Sequence, residues 1–111
     1  MYADMNRDLD RALALALKAK QMLPENADVT DTLGWVYLKR GSLLMAKNQF
    51  TEAIHLVPEH PVFHYHLGLV YYQEENFSKA RESFQKAKQL GLGKPESKQV
   101  EMILEKMGPD R

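Results

Sequence analysis

The 111-residue sequence predicts an all-α protein, an α-solenoid of antiparallel helix pairs with about six helices. Two stretches match each other at a fixed offset of 34 residues (67 − 33), because Leu33-Gly34 recurs as Leu67-Gly68. Apolar residues recur at the three- and four-residue steps of amphipathic helices, and glycine, proline and asparagine separate these segments. An offset of this size is typical of stacked repeats, in which each unit buries its apolar face against its neighbours.

The first helix is predicted over residues 8–22, where leucine and alanine form one apolar stripe. The alternating run at 12–17 would also suit a half-buried strand, but alanine and leucine favour helices and the run has no β-branched residue. Pro24 marks the boundary that follows, and either Asn26 or Asp28 could cap the next helix.

Five more helices are predicted at about 28–40, 43–57, 61–74, 77–90 and 95–107. Gly41 ends the second helix, since glycine most easily takes the left-handed conformation after a helix end. Pro61 suits the first turn of the fourth helix, where its missing N–H would be unpaired anyway. Glu75 and Asn76 make the next turn, and Gly91 ends the fifth helix.

The matching stretches share one order of residues: leucine-glycine, a tyrosine three residues later, then an alanine and a phenylalanine four residues apart. In this order the chain resembles the tetratricopeptide-repeat family over two units, 27–60 and 61–94. The matched positions are Leu33, Gly34, Tyr37, Ala46, Phe50 and Pro58 in the first unit, and Leu67, Gly68, Tyr71, Ala80 and Phe84 in the second.

Two kinds of position depart from the family pattern. Thr30 and His64 occupy the positions at which the family pattern has tryptophan, and Leu92 occupies the position at which it has proline. The resemblance implies a single domain over 1–111, with a half repeat at 8–26 and a capping helix at 95–107. We interpret the chain as a C-terminal fragment of a longer bacterial protein, its leading helix missing or reduced to residues 2–6.

In this family the first helix of each unit lines the concave face, so the resemblance implies a protein or peptide partner there. The positions carried over are Asp28, Asp31, Trp35, Leu38, Lys39, Val62, Tyr65, Leu69, Tyr72 and Gln73, and all except Asp28 and Val62 are predicted to bind the partner. Trp35, Tyr65 and Tyr72 are the expected anchors, because aromatic side chains often carry binding energy. The alternative is that these rings simply pack against neighbouring helices.

Some members of the family clamp a terminal carboxylate with lysine and asparagine. This chain has Asp31, Trp35, Tyr65 and Leu69 at those steps, so a chaperone-tail adaptor is not expected. A segment that presents apolar side chains suits the face better. The alternative function is self-assembly into a homo-oligomer, through helix 8–22 or through helices exchanged between chains.

Composition and motifs argue against other classes of function. Lysine plus arginine and aspartate plus glutamate each total 15, so no general attraction to nucleic acid is expected. No apolar run approaches the roughly 20 residues of a membrane span, and direct membrane insertion is not predicted. The amino end lacks the layout of a signal peptide, which leaves a cytoplasmic or a periplasmic location open.

No metal, cofactor or catalytic site is predicted. The chain has no cysteine, which excludes disulfides and cysteine-ligated metals. His60 and His64 are four residues apart, but no glutamate follows His60 as in zinc proteases, so solvated or capping histidines are expected. No nucleophile, base and orienting group occur together, and the chain is predicted not to be an enzyme.

Overall fold

The computed structural model describes residues 2–108, and it describes side chains from residue 8 onward. Within this range the chain forms six α-helices and no strand, which confirms the predicted fold class. The helices are α1 (Tyr2–Met22), α2 (Ala27–Lys39), α3 (Leu43–Leu56), α4 (Pro61–Gln73), α5 (Phe77–Gln89) and α6 (Glu96–Met107). The chain divides into two compact units, Met1–Pro58 and Glu59–Arg111.

Five of the six helices begin and end within one residue of the predicted bounds. The exception is α1, which begins at Tyr2 and not at residue 8. Residues 2–6 therefore continue α1 and are not the remnant of a separate helix. Residues 2–8 contain no glycine or proline, so no residue in this stretch breaks the helix.

Side chains and backbone groups close the helix ends as expected. The Asn26 side chain accepts a hydrogen bond from the Val29 backbone N–H at 3.0 Å, so Asn26 and not Asp28 caps α2. At the start of α4, His60 Nδ1 accepts from the Val62 N–H at 3.3 Å, and Pro61 occupies the first turn.

The turns after α2 and α4 have the same hydrogen-bonding pattern. The Ser42 N–H donates to the Tyr37 carbonyl at 2.9 Å, while Gly41 adopts a positive φ of 82°. One repeat later the Asn76 N–H donates to the Tyr71 carbonyl at 2.9 Å, and Glu75 adopts a φ of 62°. Glutamate thus takes a left-handed conformation that glycine adopts with less strain.

In the first unit, α2 and α3 cross closely at Gly34. A Cβ atom on Gly34 would lie 2.6 Å from the Phe50 ring, a distance that real side chains do not adopt. Phe50 is fully buried between Ala46 and Ala53, which are also fully buried. On the other side of α2, Leu33 and Val36 of the same helix pack against α1.

The second unit repeats this crossing and extends it to a third helix. A Cβ on Gly68 would lie 2.5 Å from the Phe84 ring, which is fully buried. The core of this unit joins residues of α4, α5, α6 and the loop before α6. Its buried members are Tyr65, Ala80, Phe84, Ala87, Leu92, Val100 and Ile103. Leu92, which departs from the family pattern, therefore contributes an apolar side chain to the core.

Polar contacts occupy the position where the first unit lacks tryptophan. Thr30 is fully buried, and its hydroxyl donates to the Asn26 carbonyl at 2.9 Å. Lys20 Nζ donates to the Thr30 hydroxyl at 2.7 Å and also pairs with the Glu52 carboxylate. Because these residues belong to α1, α2 and α3, one lysine links all three helices of the unit.

Replacing either crossing glycine with alanine should destabilise the protein. We expect Gly34→Ala and Gly68→Ala each to lower the free energy of unfolding by about 1–3 kcal/mol, because a fully buried ring cannot move aside without strain. Urea unfolding followed by circular dichroism measures the change. Gly93→Ala is the matched control and should be near neutral, since a Cβ there meets no atom within 4 Å. Unchanged stability of both crossing variants would contradict the proposed constraint.

Candidate functional site

In the first unit, the predicted binding residues differ in their accessibility. Asp31 and Leu38 are buried, with 9% and 5% of their surfaces exposed. Trp35 is half-buried and Lys39 is exposed. The Lys39 ammonium lies 4.6 Å from the centroid of the Trp35 ring, at the distance of a cation–π interaction. Trp35 and Lys39 are therefore the members of this set that can reach a partner.

One accessible row of side chains runs along α2. Asp28, Thr32, Trp35 and Lys39 follow each other at steps of four, three and four residues, which places them on the same side of a helix. We call these four residues the α2 row. Asp28, Thr32 and Lys39 are exposed. Sequence reasoning missed Thr32, although its spacing from Asp28 and Trp35 gave the necessary signal.

Two clefts between α1 and α2 border the ends of the α2 row. The first has a volume of about 150 Å³ and is lined by Ala16, Ala19, Asp28, Val29 and Thr32. The second has a volume of about 340 Å³ and is lined by Leu9, Asp10, Lys39 and Arg40. Arg40 pairs with Asp10 across the second cleft. The first cleft thus combines an apolar wall with the acidic end of the row, whereas the second is lined mainly by charged side chains at the basic end.

In the second unit, the predicted aromatic residues belong largely to the core. Tyr65 has only 8% of its surface exposed, and its ring centroid lies 6.3 Å from that of Phe84. Leu69 and Tyr72 pack against the same core and are half-buried. Gln73 is exposed. Tyr65 therefore lies in the core, and little of its side chain is accessible.

Burial also changes the acidity of Tyr65. Desolvation raises the pKa of the Tyr65 phenol above its ordinary value of about 10, and the negative charge of Glu96 raises this pKa further. Both causes disfavour the phenolate. The hydroxyl therefore stays protonated in the folded protein under conditions in which an unfolded tyrosine ionises.

The histidines have structural roles where contacts define them. His60 caps α4 and stacks on the Phe63 ring, with centroids 4.1 Å apart and planes inclined by 11°.

Among the described residues, no three side chains of histidine, aspartate or glutamate are grouped so that they could hold a metal ion. In the same part of the chain, no helix combines the length and the apolar character needed to cross a membrane.

A family model described as "Tetratricopeptide repeat" matches residues 32–95. Among curated proteins, none matches the chain significantly.

Solved structures share the fold at low sequence identity. The Sgt2 TPR domain of Aspergillus fumigatus superposes with a TM-score of 0.80 at 18% identity, over 96% of this chain and 72% of that one. The Yersinia enterocolitica type III secretion chaperone SycD, in complex with a peptide of the translocator YopD, has a TM-score of 0.81 at 18% identity, over 93% and 82%. The first TPR of Spaghetti (RPAP3), bound to the HSP90 peptide SRMEEVD, has a TM-score of 0.79 at 12% identity, over 95% and 84%.

The raised pKa of Tyr65 predicts a loss of stability in alkali. Well below pH 10 both the folded and the unfolded states keep the phenol proton, so this group adds no pH dependence to the stability. Above about pH 10 the unfolded state releases the proton first, and stability falls until the folded state ionises as well. Urea unfolding from about pH 8 to about pH 11 should show wild type losing stability relative to Tyr65→Phe. Parallel pH profiles for the two proteins would contradict this account.

Proposed function

Because the chain belongs to the tetratricopeptide-repeat family, we propose that it is a non-catalytic scaffold that binds a polypeptide segment. The first helices of its repeats, α2 and α4, provide the binding residues. The observation that carries this proposal is the accessible Trp35–Lys39 pair between two clefts of the first unit. An accessible aromatic ring beside concave, partly apolar surface is the kind of anchor that protein interfaces use.

The structural neighbours support a peptide as the class of ligand. The SycD structure contains a peptide of YopD, and the Spaghetti structure contains a peptide of HSP90. The proposal assigns no catalytic residue, metal or cofactor. It treats residues 8–26 as a half repeat, 27–60 and 61–94 as full repeats, and 95–107 as a capping helix.

The residues proposed to bind differ in their accessibility. Trp35 and Lys39 make the main contacts in the first unit, and Leu69, Tyr72 and Gln73 do so in the second. The buried members of the predicted set lie within their own units, Asp31 and Leu38 in the first and Tyr65 in the second.

Truncating Trp35 should weaken partner binding without unfolding the protein. The tagged chain captures partners from its source cells, mass spectrometry identifies them, and overlapping peptides define the bound segment. Calorimetry with that peptide should show Trp35→Ala losing about 2 kcal/mol, or about thirtyfold in Kd. Leu44→Ala is the control, because Leu44 lies on α3 and is 65% exposed, yet it is outside the proposed site. Equal affinity of wild type and Trp35→Ala would remove Trp35 from the site.

A second candidate function, self-assembly, is favoured by the apolar residues that α1 and its C-terminal end expose. Leu15 is 66% exposed, Met22 71% and Leu23 52%. Apolar groups gathered on one surface commonly mark an interaction site. On this proposal a second copy of the chain covers them.

Self-assembly through α1 predicts a mass that depends on concentration. Light scattering over a concentration series should show dimers at high concentration, and Leu15→Glu combined with Met22→Glu should return the protein to a monomer because charges resist burial. Glu82→Lys, an exposed change on α5, should leave the mass unchanged. A wild-type protein that stays monomeric throughout would exclude this function.

A further inference from the structure

The α2 row carries opposite charges at its two ends. Asp28 and Lys39 are eleven residues apart on the same side of α2, which corresponds to about 16 Å along the helix axis. Both side chains are exposed. Thr32 and the half-buried Trp35 lie between them. The row is therefore acidic at the start of the helix, aromatic towards the middle and basic at the end.

Neither charge is in an ion pair with a side chain in the described part of the chain, although each lies at the end of α2 whose dipole favours it. Lys39 approaches the Trp35 ring but has no carboxylate partner there, and Asp28 has no ion-pair or hydrogen-bond partner there. Arg40, the residue next to Lys39, is already paired with Asp10. The Trp35 ring covers one side of the Lys39 ammonium. The N–H groups of the ammonium on the other side can donate hydrogen bonds to an anion.

The walls of the first cleft add an apolar subsite at the acidic end. Ala16 and Ala19 face Val29 across it, and their small side chains leave a volume of about 150 Å³. Asp28 lies at the same cleft. An apolar side chain of a partner would fill this space while a basic neighbour met the carboxylate.

We infer, on the basis of the proposed function, that the segment bound along the α2 row is itself charge-polarised. It places lysine or arginine beside Asp28 and aspartate or glutamate beside Lys39, about 16 Å away. Apolar side chains between these charges contact Trp35 and enter the cleft at Ala16. The opposite charges fix one direction of the segment, because the reversed direction would bring like charges together.

A random peptide library tests this inference on the full chain. Displayed peptides of about 16 residues are long enough to span the row in either a helical or an extended conformation. Peptides are selected on wild type and on the double variant Asp28→Lys with Lys39→Glu. Thermal unfolding followed by circular dichroism verifies that each protein is folded before selection.

The expected result is a reversal of preference. Wild type should enrich peptides with one order of basic and acidic residues around an apolar centre, and the double variant should enrich the opposite order. The single variant Lys39→Glu should bind a peptide selected on wild type with an affinity about threefold to tenfold lower. Lys18→Glu and Glu82→Lys should have no effect, since Lys18 lies on the side of α1 opposite Ala16 and Glu82 lies on α5.

Two outcomes would overturn the inference, and they are distinguishable. Enriched peptides that lack charge polarity, or that the double variant selects equally well, would reject the inference while peptide binding itself stands. If no peptide is enriched over a blank surface, the proposed function fails together with the inference.

Discussion

The close approach of a glycine to a phenylalanine ring is the contact on which both helix hairpins depend. Gly34 against Phe50 and Gly68 against Phe84 bring each pair of helices so near that a single Cβ atom would collide with the ring. This contact fixes how α2 is turned about its axis. Trp35 follows Gly34 directly, and one residue rotates a helix by about 100°, so the indole is directed away from the crossing. The accessible row on α2 is thus a consequence of packing on its other side.

Residues at equivalent positions of the two repeats can be compared for their exposure to solvent. Asp31 and Tyr65 occupy the same step, and both are buried, although one is charged and the other aromatic. In the second unit, Tyr65 belongs to a core that includes Val100 and Ile103 of α6. The step of Lys39 and Gln73 is exposed in both units. At these two repeat positions, accessibility follows the position more closely than the residue type.

Local signals explain why most of the fold could be predicted from the sequence. Glycine, proline and asparagine act on their immediate neighbours, so the helix ends needed no knowledge of distant residues. The predicted start of α1 was wrong by six residues, because the apolar stripe begins only at Leu9 while the residues before it contain no glycine or proline to end the helix. Burial of Tyr65 and the link from Lys20 to Glu52 depend on residues that are distant in sequence. The repeat pattern indicated that Thr30 replaces a tryptophan, but it could not predict the hydrogen bonds that Thr30 makes with Asn26 and Lys20.

The left-handed conformation of Glu75 shows that two repeats can share the geometry of a turn and still differ in its local stability. The turn at Glu75 keeps the hydrogen bonds of the turn at Gly41, yet its backbone is less favourable by about 1 kcal/mol. The closed α4–α5 turn consequently has a higher free energy than the closed α2–α3 turn, so its local opening costs less free energy. The hydrogen-bonded amide of Asn76 should therefore exchange with solvent more readily than that of Ser42 wherever such opening governs the rate. Conserved geometry in successive repeats is therefore compatible with unequal local dynamics.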